Sequence, residues 1–292
     1  MFAGSLVAIV TPMRADASVD FEAWARLLDF HAANGTHGVV VGGTTGESAT
    51  LRDEELRELL AQACTRLRGR LAIIAGAGTS STATTVERVR WLSELPIDGL
   101  LIVTPAYNRP PQEGLFRHFS AAAAATRKPV LLYNVPARTA VDMKPATVAR
   151  LAQLPGIVGV KEAVPEVARV RELVEGCPRE FIVLSGDDAT ARATIAAGAR
   201  GVISVTANVA QRSMSDMVAA ALRGEAARAA ELDAPLGALH GALFVEANPI
   251  PVKWLLTQMG LIEAGIRLPL TPLAAQSQTA VSAAARAAGV LR

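Results

Sequence analysis

Four lysines and two tyrosines stand out among the groups able to do chemistry, because arginine carries the basic charge elsewhere in the chain. Lys128 stands in Arg127-Lys128-Pro129 ahead of an apolar run, Lys144 in Met143-Lys144-Pro145 where a helix opens, and Lys253 within a helical stretch. Lys161 differs, because it closes the apolar run Ile157-Val158-Gly159-Val160. Both tyrosines also end such runs, Tyr107 after Ile102-Val103-Thr104-Pro105-Ala106 and Tyr133 after Val130-Leu131-Leu132. An amine attacks a carbonyl only when neutral, and apolar surroundings favour the neutral form. A phenol, titrating near pH ~10, can pass protons around an imine without competing as a nucleophile. One lysine and two tyrosines gathered at one mouth would suit imine (Schiff-base) chemistry. Taken singly, each has a plainer reading: a lysine paired with Glu162 or another carboxylate, or a core aromatic.

Other groups fall at neighbouring run ends. Gly42-Gly43-Thr44-Thr45-Gly46-Glu47-Ser48 is no P-loop, since no Gly-Lys-Ser/Thr follows. Its glycines let the backbone turn tightly, and two hydroxyls with adjacent amides can hold a small carboxylate; an ordinary turn is the competing reading. Thr50 reads as the cap of the next helix. Arg138, five residues past Tyr133, offers a planar fork suited to a carboxylate. The last three runs end in Lys161-Glu162-Ala163, Gly186-Asp187-Asp188 and Ser204-Val205-Thr206. Asp187 and Asp188 read as caps before the next helix rather than as metal ligands. His31, His37, His118 and His240 are dispersed, without the clustering a zinc aldolase needs, so no metal is expected.

The elements that must position these groups follow a period. Apolar runs at 5–10, 38–41, 71–75, 99–103, 130–133, 157–161, 181–185 and 201–205 predict strands. Helical patterns at 21–34, 51–67, 82–95, 112–125, 145–154, 166–175, 189–197 and 207–222 alternate with them. Eight strand–helix units predict an α/β fold, a (β/α)8 TIM barrel, whose catalytic groups come from the C-terminal ends of different strands. A doubly wound sheet would show a Gly-rich phosphate turn after its first strand, where this chain has Thr11-Pro12-Met13-Arg14. Beyond Arg223-Gly224, helices at 226–243, 249–259 and 273–289 predict a three-helix extension, giving a catalytic barrel over 1–224 and a helical region over 225–292.

Composition narrows the partners. Of 292 residues, 51% are hydrophobic and 19% charged, enough for a large core. The net charge of +2 is dispersed, which argues against nucleic acid and anionic membrane. No apolar stretch is long enough to span a bilayer. The apolar start through Val10 lacks a positive region and reads as a strand, not a signal peptide. Cys64 and Cys177 lack metal-type spacing and suggest a reducing compartment, with the cytoplasm as the expected location.

Several motifs together resemble the dihydrodipicolinate synthase family of pyruvate-dependent class I aldolases. They are Phe2-Ala3-Gly4-Ser5 with Ala8-Ile9-Val10-Thr11-Pro12, Gly43-Thr44-Thr45-Gly46-Glu47, Val103-Thr104-Pro105-Ala106-Tyr107-Asn108, Tyr133-Asn134-Val135-Pro136, Gly159-Val160-Lys161-Glu162-Ala163, Leu184-Ser185-Gly186-Asp187-Asp188, Gly201-Val202-Ile203-Ser204-Val205 and Phe244-Val245-Glu246-Ala247-Asn248-Pro249-Ile250-Pro251-Val252-Lys253. The resemblance runs in order through nearly the whole chain. It implies an imine between Lys161 and pyruvate, and enamine attack on aspartate semialdehyde in the diaminopimelate route to lysine, without a further cofactor. By the same resemblance Tyr133, Thr44 and Tyr107 form a proton relay, with Tyr107 supplied by a neighbouring subunit, so the chain is expected to form a dimer or a dimer of dimers. Thr45 and its amide neighbours would hold the pyruvate carboxylate, with the Ile203 backbone lining the same pocket and Gly186 among the substrate-binding residues, and Arg138 would bind the semialdehyde carboxylate.

Related Schiff-base enzymes, N-acetylneuraminate lyase and the sugar-acid aldolases, take polyol aldehydes and need hydroxyl-binding groups where this chain offers Arg138. A non-enzymatic paralogue would be expected to have lost the lysine or a tyrosine. Feedback-inhibited relatives carry histidines at the positions of Asp53 and Leu56, asparagine at Ser80 and glutamate at Thr84. Ser48, Ala49 and Tyr107 remain, so weak or absent inhibition by lysine is expected.

Overall fold

Apolar side chains on both faces of short parallel strands demand cover on both sides, and closing the sheet removes its edges. A computed structural model describes residues 2–292. Among the described residues, β1 (Gly4–Ala8), β2 (Gly38–Val41), β3 (Ala72–Gly76), β4 (Gly99–Val103), β5 (Val130–Asn134), β6 (Ile157–Glu162), β7 (Ile182–Ser185) and β8 (Gly201–Ser204) pair in sequence order. β8 returns to β1 in parallel, so the expected (β/α)8 TIM barrel closes. Around it run α1 (Phe21–Ala33), α2 (Asp53–Leu67), α3 (Thr82–Ser93), α4 (Gln112–Ala124), a single turn α5 (Pro136–Thr139), α6 (Pro145–Leu151), α7 (Val167–Gly176), α8 (Ala191–Ala196) and α9 (Gln211–Leu222).

Strand alternation sorts the core into two layers. Leu6, Val40, Ile74, Leu101, Leu131, Leu184 and Ile203 fill the barrel interior. Their strand neighbours Val7, Val39, Ile73, Leu100, Leu132, Val183 and Val202 face the helices. Asn208, in the short 3-10 turn after β8, ties the closure. Its side chain accepts from Val10 N–H at 3.0 Å and donates to the Ala8 carbonyl at 2.9 Å.

β6 breaks the alternation once. Val130 pairs with Ile157, but the next residue, Leu131, pairs with Gly159, so the register skips Val158. Ile157 and Val160 both lie in the outer layer, three residues apart, whereas strict alternation would put them on opposite faces. A slip of one residue reverses every later side chain. Lys161 is thereby turned into the barrel mouth, opposite Tyr133 in the register, and Glu162 is turned outward.

The C-terminal helices are α10 (Ala226–Asp233), α11 (Gly237–Ala242), α12 (Ile250–Gln258) and α13 (Ala275–Ala287). The single helix expected over 226–243 is therefore divided. Ala234–Leu236 forms a 3-10 turn around Pro235, which cannot donate a helical hydrogen bond. The helix expected from 207 likewise opens with a 3-10 turn before α9. Thr50 is not the cap of α2. Its hydroxyl bonds to the Glu47 carbonyl, and Arg52 holds the cap position with its N–H on Glu55 at 2.9 Å.

Candidate active site

The C-terminal ends of the strands open into a cavity of about 570 Å³ whose lining includes Thr44, Thr45, Tyr133, Arg138, Lys161 and Gly186. Six of the eight site residues expected from sequence thus meet at one mouth. Lys161 is 5% exposed, and its Nζ sits 4.3 Å from the centre of the Tyr133 ring. Glu162 is not its partner, because it belongs to the outer face. Asn134 Nδ2 reaches Glu162 at 3.1 Å and the Val164 N–H reaches it at 2.8 Å. Gly186 makes room for the lysine, since a Cβ there would stand 3.0 Å from Lys161 Cε and 2.8 Å from the Ala163 Cβ.

The cluster behind the wall fixes the two strands that bear Tyr133 and Lys161. Asn134, the last residue of β5, also donates to Asp142 at 2.9 Å and accepts from Met143 N–H. Arg169 pairs with Asp142 at 2.5 Å. Burial pushes the Glu162 carboxyl up to about 7 against the pull of Val164 N–H, Asn134 and Arg169.

Thr45 is buried, and its hydroxyl accepts from Asn248 Nδ2 at 3.0 Å. Arg138 donates to the Asn248 carbonyl at 3.1 Å, so one residue of the C-terminal segment grips both groups. Phe244, Val245, Glu246 and Ala247 continue the wall from the same segment. Sequence reasoning gave these positions no role, although the run from Phe244 to Lys253 was among the motifs carrying the resemblance.

Two expected residues lie elsewhere. The Ile203 side chain packs in the barrel core with Leu184 and Tyr133, and Val205, just past the end of β8, is the residue of that stretch that lines the cavity. Tyr107 is not at a strand end. β4 stops at Val103, and Tyr107 sits on the following loop with φ of 73° and 94% exposure, outside its own cavity. The loop beneath it is anchored, with Ser80 Oγ donating to the Ala106 carbonyl and Asn108 Nδ2 to the Ser80 carbonyl, both at 2.9 Å.

The acidic residues after β7 divide their work. Asp187 accepts from the N–H and hydroxyl of Thr190, which itself holds the cap position of α8, so Asp187 braces the approach to the helix and is not its cap. Asp188 instead accepts from Val205 and Thr206 N–H, bracing the end of β8, which corrects its reading as a cap. His31, His118 and His240 each bond to a threonine hydroxyl through Nδ1. Among the described residues no group of three or more His, Cys, Asp or Glu is placed to hold a metal ion. Among the same described residues no helix is long and apolar enough to cross a membrane.

Of the positions compared with feedback-inhibited relatives, Ser80 and Thr84 are exposed, whereas Asp53 and Leu56 are engaged within the chain. Asp53 pairs with Arg88 at 2.6 Å, and Leu56 is buried against Gly42, whose φ of 64° and lack of a Cβ admit it.

A (β/α)8 barrel with a buried lysine amine, an arginine and paired threonines at its mouth defines the class of protein: a barrel whose polar side chains gather at the C-terminal ends of its strands. The model of the Dihydrodipicolinate synthetase family matches residues 1–288, and the chain belongs to that family. It is 52% identical over 291 residues to the 4-hydroxy-tetrahydrodipicolinate synthase of Laribacter hongkongensis, covering all of both chains. Its fold matches the chloride-inhibited dihydrodipicolinate synthase of Acinetobacter baumannii complexed with pyruvate, with a TM-score of 0.98, 44% identity and full coverage of both chains. It also matches a monomeric dihydrodipicolinate synthase variant with a TM-score of 0.97 and 39% identity, over 99% of this chain and 98% of that one.

Proposed function

We propose that the chain is a 4-hydroxy-tetrahydrodipicolinate synthase, condensing pyruvate with L-aspartate 4-semialdehyde through an imine on Lys161. The observation that carries this reading is the placement of the Lys161 amine: buried in the mouth, above the Tyr133 ring and free of any ion pair among the described residues.

The Lys161 amine adds to the pyruvate ketone, and water leaves as the imine forms. Loss of a methyl proton gives the enamine, whose carbon attacks the aldehyde of the semialdehyde. The new alkoxide takes up a proton. The substrate amine then adds to the imine carbon and expels Lys161, closing the ring. Tyr133 and Thr44 handle the protons, Thr45 and Gly186 seat the pyruvate carboxylate, and Arg138 receives that of the semialdehyde. Arg138 already spends one N–H on Asn248, which orients the rest of its fork. Ile203 supports the pyruvate site from the barrel core. No cofactor beyond the imine is required.

Tyr107 enters the reading as the relay residue a second subunit lends, which makes the assembly a dimer at least. Its full exposure and left-handed backbone on an anchored loop support that role. A biosynthetic reaction on soluble acids suits the cytoplasm.

The test is a coupled assay with pyruvate, aspartate semialdehyde, dihydrodipicolinate reductase and NADPH. Pyruvate-dependent NADPH loss at about 10 per second or faster, with borohydride fixing pyruvate on Lys161, is expected. Trapping without NADPH loss would keep the imine and transfer the second substrate to a sugar aldehyde. The absence of any adduct on Lys161 would overturn the covalent mechanism. Sedimentation velocity reads the assembly, for which a monomer would remove the role given to Tyr107.

A further inference from the structure

Glu47 lies three residues beyond Thr44, and its carboxylate is directed away from the mouth into the C-terminal helices. Lys253 Nζ of α12 holds one oxygen, and the Arg267 N–H holds the other at 3.1 Å. The Glu47 and Lys253 side chains are only 1% and 4% exposed. At the same time the Glu47 backbone closes the threonine turn. Its N–H donates to the Thr44 carbonyl at 3.1 Å, and its carbonyl accepts from the N–H groups of Thr50 and Leu51. Its φ is 57°, a left-handed conformation that costs a side chain about 1 kcal/mol or more and persists only where surroundings impose it. Here the surroundings are those backbone bonds together with the ion pair and the Arg267 N–H.

We propose that the Glu47–Lys253 ion pair is a positioning device that couples the C-terminal helices to pyruvate capture by setting the Thr44–Thr45 turn; this rests on the reading of Lys161, Thr44 and Thr45 given above. Neither Glu47 nor Lys253 lines the mouth cavity, so both are positioning residues that act through the threonines. Asn248, five residues before Lys253, grips Thr45 from the same segment, so the turn is held at two points. Stability alone does not call for such a pair. A well-packed apolar substitute is often as stable as a buried ion pair, whereas a half-broken pair is costly. What the charged pair adds is direction: a carboxylate with both oxygens engaged fixes the rotation of the residue that closes the turn.

The experiment compares Glu47→Gln, Lys253→Met and the double variant Glu47→Gln/Lys253→Met with the full-length enzyme. The readouts are Tm, KM for each substrate, and the rate at which borohydride fixes pyruvate on Lys161. Each single variant is expected to raise KM for pyruvate about tenfold or more and to slow trapping, because small displacements of a binding group carry large rate costs. KM for the semialdehyde should change less than about threefold. The double variant leaves no unpaired buried charge, so it should regain the Tm lost by the singles while KM for pyruvate stays raised. Lys253→Arg, which keeps the charge, should restore pyruvate binding. A double variant with both Tm and KM for pyruvate at wild-type values would reduce the pair to a structural contact and overturn the proposal. If the singles fail to fold, the double variant still decides. A wild-type enzyme that traps no pyruvate removes the underlying reading of the site. Normal wild-type trapping with unchanged variants removes only the positioning role.

Discussion

Lys161 and Lys253 are buried to the same degree, 5% and 4% exposed, in two regions that treat an amine in opposite ways. The end of β6 leaves Lys161 against an aromatic ring and an open cavity, without a counter-charge among the described residues. α12 presents Lys253 directly to Glu47, where burial lowers its pKa and the carboxylate pulls it back. An amine bound to a fixed carboxylate serves as an anchor, whereas one whose nitrogen has no acceptor and faces an open cavity is placed to meet a substrate carbonyl. Burial alone therefore does not mark a nucleophile, and the identity of the nearest acceptor does.

The sharpest way to break this contrast is to delete the free amine. Lys161→Ala should lower kcat by about 10⁴-fold or more and abolish borohydride-dependent labelling, with Tm nearly unchanged. A large drop in Tm would mean that Lys161 is also an anchor. The opposite signature is expected next to Lys253. Arg267 donates to both Glu55 oxygens at 2.6 and 2.8 Å and to the Thr50 and Ala17 carbonyls. The Arg267 bonds to Glu55, helped by the Arg52 N–H, hold that carboxyl down to about 2. Arg267→Met should cost about 3 kcal/mol in urea unfolding, and labelling of Lys161 should survive wherever the enzyme is folded.

A smaller effect separates Lys161 from its sequence neighbour. The Glu162 carboxyl is raised from 4.5 to about 7 in the folded state. Its contribution to stability is therefore fully present below pH 4.5 and is lost as pH rises through about 7. Glu162→Gln removes that titration, so its Tm relative to wild type should increase between pH 5 and pH 8 in paired thermal melts at matched ionic strength. A constant difference would show that Glu162 is not the titrating group. The smallest expected response is to lysine. With Asp53 committed to Arg88 and Leu56 buried against Gly42, millimolar lysine should leave the initial rate nearly unchanged. Half-inhibition below a millimolar would contradict that.

Much of the fold was legible in the sequence because its signals are local. A strand of four or five apolar residues and a helix of three turns carry their periods within their own length, and eight alternations leave closure as the solution without edges. β2 at Gly38–Val41 and β4 at Gly99–Val103 coincide with the apolar runs, and the others shift at their ends by one or two residues. Lys161, Tyr133, Thr44, Thr45, Arg138 and Gly186 were legible as residues at the ends of such runs. Other features depended on contacts between distant parts of the chain. The skipped residue in β6, which aims Lys161 inward, is decided by pairing with β5. Asn248 reaches Thr45 across 203 positions and Lys253 reaches Glu47 across 206. Local periodicity determined which elements form and which ends carry polar groups. Only the closed barrel, with the C-terminal segment packed against it, decided which lysine is left free and which is paired, because that choice belongs to the acceptor and not to the lysine's own neighbours in sequence.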